Sequence, residues 1–261
     1  MAINKQYVLG RGKVYFANFI PGTFVPDGFR YIGNTPEFSL NIESEELDHY
    51  DSDAGIREKD DSVALEVNRT GSLITDNIDP ANVALFFFGE ATVLTQSIVS
   101  SQTLTLESIK VGHTYKLGAT IANPTGYFGI NPTGFAVENA AATALVVDVD
   151  YTVDLVNGLI TFIDASTLAI ADADIDVTFA VLGSTRSRVI SGSTPVEGAM
   201  MYVTQNPKGA DATFVLPYVK VTPNGDYALK GDDWQQLPLS LEVLKLETSE
   251  AIYRDGNPVY A

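Results

Sequence analysis

Cysteine is absent from the 261 residues. That excludes disulfides, thiolate metal ligands and thiol redox chemistry, and it fits synthesis in a reducing cytosol. Histidine is scarce as well. His49 and His113 stand far apart, so no His-x-x-x-His pair exists and zinc is not expected. A nucleophile would have to be Ser or Thr with His as base, and no Gly-x-Ser-x-Gly sequence is present. The expectation is a protein that is not an enzyme and carries no cofactor. No window approaches the ~18 consecutive apolar residues of a membrane span. The opening Met-Ala-Ile-Asn-Lys-Gln-Tyr-Val-Leu-Gly lacks the apolar core and cleavage site of a signal peptide. Synthesis in the cytoplasm is expected, with no membrane partner.

Positive charge is also in short supply. Sixteen Lys and Arg face 33 Asp and Glu, for a net charge of −17. Specific DNA binding by counterion release needs clustered cations. The basic residues are scattered, with Arg186 and Arg188 the nearest approach to a pair. The acidity predicts solubility and a surface that does not stick to nucleic acid.

Tyr, Phe, Val, Ile and Thr are abundant, with Gly and Pro between them, a composition that favours strands. The length suits one large all-β domain or two smaller ones. The most informative stretch is residues 37–89. Phe38, Leu40 and Ile42 alternate with Glu37, Ser39, Asn41 and Glu43, the period-two pattern of a strand with one wet face. Val63, Leu65 and Val67 alternate with Ser62, Glu66 and Asn68 in the same way. Between them, nine acids in residues 43–61 are opposed only by Arg57 and Lys59, a net −7. This reads as a long charged loop of residues 45–61. It is far longer than the two to five residues of an ordinary hairpin loop, which suggests a role in contact between subunits.

The next segment, Asp79-Pro-Ala-Asn-Val-Ala-Leu-Phe-Phe-Phe-Gly89, has an N-cap Asp, a Pro for the first helical position and a Gly for C′. It predicts a helix of two to three turns. Val83, Leu85, Phe86, Phe87 and Phe88 cover most of its circumference, so burial on most sides is expected, against the sheet or a neighbouring subunit.

Further strands are expected at residues 12–20, 29–32, 175–182, 199–205, 212–221 and 237–246. A bulge is expected at Val243-Leu244, and Pro238 should keep its end off a central ladder. Asn157-Gly158 between β-branched runs predicts a type I′ hairpin turn. Asn123-Pro-Thr-Gly126 and Asn131-Pro-Thr-Gly134 read as two similar turns. Residues 184–194 read as a polar junction.

Other constellations carry little chemistry. Asp51-x-Asp53-x-Gly55 fails the EF-hand pattern, because Ser62 stands where the bidentate Glu belongs. Asp172-x-Asp174-x-Asp176 fits the solvent face of a strand. Trp234, the only tryptophan, suits a core or an interface better than a sugar platform.

The block from Tyr31 to Asp51, its continuation from Arg57 to Gly71 and the 79–89 segment together resemble the major tail tube proteins of long-tailed, siphovirus-like bacteriophages. The resemblance is good over residues 10–90 and looser afterwards. It implies a mainly β fold, a tail-tube β-sandwich or barrel with one flanking α-helix and a long stacking loop. The whole chain would be one tail tube domain, with residues 98–183 a β-rich elaboration inserted in it. Six copies would form a ring with a continuous inner barrel, and rings would stack into a tube that conducts DNA into the host without binding it specifically. The ring-to-ring loop would comprise Glu45, Glu46, Asp48, His49, Tyr50, Asp51, Asp53, Arg57, Glu58, Lys59, Asp60 and Asp61. The lumen-facing candidates are Glu37, Ser39, Asn41, Glu43, Glu66 and Asn68. Implied partners are the chain itself and the tail terminator, distal tail and tape measure proteins, in a virion tail of the non-contractile kind made in the host cytoplasm. A monomeric β-sandwich binding module on a virion surface, taking carbohydrate or protein, is the alternative.

Overall fold

The computed structural model describes residues 7–53, 55–163 and 174–258. The fold is mainly β, with antiparallel sheets and, among the described residues, one short helix. The chain opens with β1 (Gly12–Asn18), β2 (Arg30–Tyr31) and two long strands, β3 (Glu37–Asp51) and β4 (Glu58–Thr75), followed by α1 (Pro80–Phe86). After β5 (Glu90–Gln96) come β6 (Val99–Leu106), β7 (Thr114–Lys116), β8 (Ile130–Asn139), β9 (Tyr151–Asp154), β10 (Leu159–Phe162) and β11 (Ile175–Val181). Then β12 (Ser184–Ile190) leads to β13 (Val196–Thr204), β14 (Ala212–Pro223), β15 (Leu237–Val243) and β16 (Tyr253–Gly256). Two compact units result. One is Met1–Thr92 with Arg188–Ala261, and the other is Val93–Ser187. β5 and β12 pair as the ribbon that carries the chain out of the first unit and back.

The first unit is one sheet in the order β2-β1-β13-β14-β15-β4-β3, with β16 added beside the start of β14. Its core gathers Val14, Phe16, Ile32, Leu73, Met200, Leu216, Val219, Leu239 and Leu241. All but Ile32 are inward positions of five strands, with the period-two phase slipping between Leu216 and Val219 where the register against β13 shifts. Leu85 of α1 joins the same cluster. The second unit has its own core of Ile109, Leu117, Ile160, Phe162, Ile175, Val177 and Phe179. β11 sits between β6 and β8. Its odd positions are buried, while on the other face Thr178 Oγ1 meets Thr103 Oγ1 at 2.8 Å and Thr105 Oγ1 donates to Asp176 at 2.6 Å.

Several expectations are corrected. The acidic stretch 45–61 is not a loop but the outer part of a β-hairpin, and only residues 52–57 turn the chain between β3 and β4. Backbone pairing from Glu45↔Glu66 to Asp51↔Glu58 forms its ladder, although Leu47 and Tyr50 are the only apolar strand residues within the stretch. The half-buried partner of Phe38 and Leu40 is accordingly not residues 62–68 but the later part of β4. There Gly71, Leu73 and Thr75 are buried, whereas Val63, Leu65 and Val67 are exposed.

The helix spans seven residues, about two turns and so within the expected length, but is less enclosed than expected. Asp79 caps it, accepting from the Asn82 N–H at 2.8 Å, and Pro80 sits in the first turn. At its end Phe88, not Gly89, takes the left-handed conformation, with φ at 52°. Gly89 N–H reaches Ala84 O and Phe88 N–H reaches Leu85 O, the Schellman pattern. Gly89 is instead required by close approach, since a Cβ there would lie 1.9 Å from Ile190 O. Leu85 is buried, Val83, Phe86 and Phe88 are half-buried, and Phe87 is 38 % exposed.

The hairpin at Asn157-Gly158 has a four-residue loop, not a type I′ pair. Gly158 alone has positive φ, and Asp154 Oδ1 accepts from the Val156 and Asn157 N–H groups, both at 3.0 Å. The Asn157 side-chain amide, donating to Asp154 Oδ2 at 2.7 Å, and then the backbone bonds from Asn157 and Val156 hold the Asp154 carboxyl below its usual range. Asn131-Pro-Thr-Gly134 lies inside β8, where it makes a register shift against β11, so it is a bulge in a strand and not a separate turn. Residues 184–194 contain β12. Pro238 lies in the central strand β15; being near its start it removes little of the ladder, and its carbonyl still accepts from Asn224 N–H. β15 ends at Val243 and shows no bulge. Trp234 is 93 % exposed. Asp172 lies outside the described residues; Asp174 accepts from Ser108 N–H at 2.9 Å, and among the described residues no cluster of acids or histidines is suited to a metal.

Candidate assembly surface

β3 is 15 residues long and β4 is 18. Their inner halves belong to the sheet, because β4 pairs with β15 only from Thr70↔Glu242 to Thr75↔Leu237. Beyond Thr70 the two strands pair with each other alone, which makes an arm. The register runs Glu43↔Asn68, Glu45↔Glu66, Glu46↔Ala64 and His49↔Asp61, then Tyr50↔Lys59 and Asp51↔Glu58. Leu65 and Asp60 are therefore extra residues on β4, two bulges that bend the arm and add twist.

The lumen-facing candidates fall on one face of this hairpin. Glu37, Ser39, Asn41 and Glu43 alternate along β3, and Glu66 and Asn68 stand opposite the same face on β4. Ser39 Oγ meets Ser72 Oγ at 2.8 Å, and Asn41 Nδ2 donates to Glu43 at 2.8 Å. All six are exposed. The ring-to-ring residues continue outward. Lys59 Nζ lies 2.6 Å from Asp48 and 4.0 Å from Glu46, and the Asp48 hydrogen bond holds the ammonium above its ordinary range. His49 Nδ1 is 2.5 Å from Asp60 Oδ1, Arg57 sits over the Tyr50 ring at 5.3 Å, and Asp51 Oδ1 accepts from Asp53 N–H at 2.9 Å to brace the turn. Glu45, Asp51, Glu58 and Asp61 have no cationic partner among the described residues.

Three features are unfavourable for an isolated arm. Glu45 faces Glu66 directly, and Asp51 faces Glu58; like charges opposite each other destabilise a ladder. Ile42, Leu47, Val63, Leu65 and Ile56 are exposed, Leu65 to 60 %. In addition, β3 is the last strand of the sheet, so its outer edge carries unpaired N–H and C=O groups along its length.

Elsewhere, α1 places Arg30 NH1 3.4 Å from Asp79 Oδ2. Burial lowers the Arg30 pKa and the Asp79 carboxylate opposes that shift. A cleft of 360 Å³ beside the helix is lined by Phe16, Asp27, Arg30, Leu85 and Glu90 among others. In the second unit Lys116 and Arg186 stack on Phe128 at 3.6 and 4.3 Å, and Lys116 donates to Tyr127 O and Asn157 O. Burial and the Arg186 charge lower the Lys116 pKa. Sequence reasoning missed these cations because each is tied to carbonyls or rings far away in the chain, with no spacing to betray them.

A family model described as protein of unknown function UCP028589 matches residues 7–252, and the chain belongs to that family. No curated protein matches the sequence.

Proposed function

We propose that this chain is a structural virion protein, the repeating subunit of the tail tube of a long-tailed bacteriophage. Copies associate through their sheets into hexameric rings, and rings stack into a tube through which DNA passes. The observation that carries the reading is the arm. A β-hairpin that leaves the sheet, exposes Ile42, Leu47, Val63 and Leu65 and ends in an unpaired edge strand needs a covering surface. Ring closure of a heterologous interface removes such edges. The sheet and core of the first unit suit a sandwich or barrel with α1 at its flank, and Val93–Ser187 is an inserted elaboration.

In this reading the arm reaches the next ring, and Glu37, Ser39, Asn41, Glu43, Glu66 and Asn68 line the channel. An acidic lining repels phosphates and so avoids salt-dependent sticking to DNA. The protein works without catalysis or cofactor, in the virion tail after synthesis in the host cytoplasm, beside tail terminator, distal tail and tape measure proteins.

Negative-stain microscopy of the purified chain across a concentration series tests the proposal. Rings and tubes are expected. A chain that stays monomeric at every concentration and binds glycans would support the second reading, a surface binding module. The observation favouring that reading is Trp234, exposed beside Asp76, Ile78 and Gln235 in a small cleft.

A further inference from the structure

The ladder row Gly12–Thr204–Ala212–Gly256 crosses β1, β13, β14 and β16 at one end of the sheet. Four cations lie near it, on both faces of the sheet, Arg254 on the face of Val14, Tyr202 and Phe214 and Lys13 on the opposite face with Val203, Thr213 and Asp255. Arg11 precedes Gly12 and Lys13 follows it; Lys208 lies in the turn between β13 and β14, bridged to Leu9; Arg254 pairs with Phe214 in register. All four are exposed, and none has a carboxylate partner among the described residues. Three of them rest on rings instead. Lys13 lies over Tyr31 at 5.8 Å, Lys208 over Tyr7 at 5.9 Å and Arg254 over Phe214 at 5.6 Å. Of the two acids at this end, Asp211 already accepts from Thr204 Oγ1 and Asn206 N–H, and Asp255 neighbours Arg254. The rim is therefore net positive in a chain with twice as many acids as bases.

The arm presents the opposite problem, acids without cations. We infer that the cationic rim of one copy is the docking surface for the acidic arm of a second copy. The occupant follows from charge complementarity and from register. From Thr70↔Glu242, β4 runs toward Glu58 in the same direction in which β14 runs back from Lys220 to Ala212. A second copy set beside the β3 edge in the same sense thus brings its rim level with the arm. The facing pair Asp51 and Glu58 gains guanidinium and ammonium neighbours that its own chain does not supply, while the turn beyond it stays free for a further ring. Aromatic rings under the cations hold the side chains extended and limit the rotamer freedom lost on docking.

This inference rests on the subunit reading above, and the experiment separates the two. The full chain is compared by sedimentation velocity with Lys13→Glu plus Lys208→Glu, with Asp51→Lys plus Glu58→Lys, and with all four changes together. The arm variant exchanges one like-charge pair for another, so it leaves the ladder's own strain in place. Circular dichroism checks the fold, and Arg11→Gln with Arg254→Gln serves as a milder second rim variant. Each reversal alone is expected to raise the concentration needed for assembly at least tenfold, the fourfold variant to recover most of it, and added salt to weaken the wild type. Rim variants that assemble like wild type, while an arm deletion abolishes assembly, would overturn the docking surface and leave the subunit reading standing. A wild-type chain that never assembles would overturn both.

Discussion

The two halves of the β3–β4 hairpin form one continuous ladder and meet opposite fates. In the inner half, Phe38, Leu40 and Leu73 lie against Tyr202, Leu239 and Leu241 in the core. In the outer half the apolar residues fall out of phase, Ile42 on the face of Phe38 and Leu40 but Leu47 and its partner Val63 on the other, and all of them stay exposed. Backbone pairing therefore makes a strand; it does not say whether the same chain covers its apolar residues. In the inner half burial stabilises the monomer. On the proposed reading the outer half is covered only by another molecule, and the facing acids Glu45 and Glu66 weaken the free arm.

The contrast can be broken most forcefully at its apolar positions. Leu73→Ala should lower the unfolding free energy by about 2–5 kcal/mol, as buried leucines do. Leu65→Ala, in the arm, should leave monomer unfolding nearly unchanged while weakening self-association. Equal effects on monomer denaturation would remove the distinction. Gly71→Ala comes next. Its Cβ would stand 2.8 Å from Ser39 O, which wedges the inner strands apart at about 1–3 kcal/mol; the same test at Gly55 in the turn, where nothing lies within 4 Å, should be close to neutral.

Asp79→Ala removes the cap of α1 and the partner of Arg30, and should lower stability by about 1 kcal/mol in denaturant titration. Glu45→Gln should act in the opposite direction within the arm, slowing amide exchange at Ser44 and Val67 by a factor of about two to five in the free chain. The smallest effect belongs to the second unit. The Asp154 carboxyl is held below its usual range, so the stability it contributes is present above its unfolded pKa and lost as pH falls through the lower, folded value. Acidification below an ordinary aspartate's pKa of about 3.9 should therefore loosen the 155–158 loop, and Asp154→Asn should flatten that pH dependence when Gly158 exchange is followed.

Much of the strand content was legible, because period-two runs such as Val14 to Phe16, Ile175 to Val181 and Leu237 to Leu241 need no context. The cap at Asp79 was legible for the same reason, since its signal is local. Residues 45–61 misled because charge density suggested solvent and hence loop, whereas a ladder needs only backbone pairing and tolerates exposed acids on both faces. Gly89 misled in another way. Its position after Phe88 matched a helix stop, yet the requirement comes from Ile190, about a hundred residues away in the chain. The cationic rim was hidden because Arg11, Lys13, Lys208 and Arg254 come together only through strand pairing.

The central claim is that the arm is an assembly element left uncovered in the single chain. Hydrogen–deuterium exchange on the wild-type protein, below and above its assembly concentration, tests it directly. Amides of Leu47 and Val63 should exchange rapidly in the free chain and become strongly protected in the assembled fraction, while those of Leu73 and Leu241 are protected in both. Assemblies in which the arm amides exchange as fast as in the monomer would contradict the account.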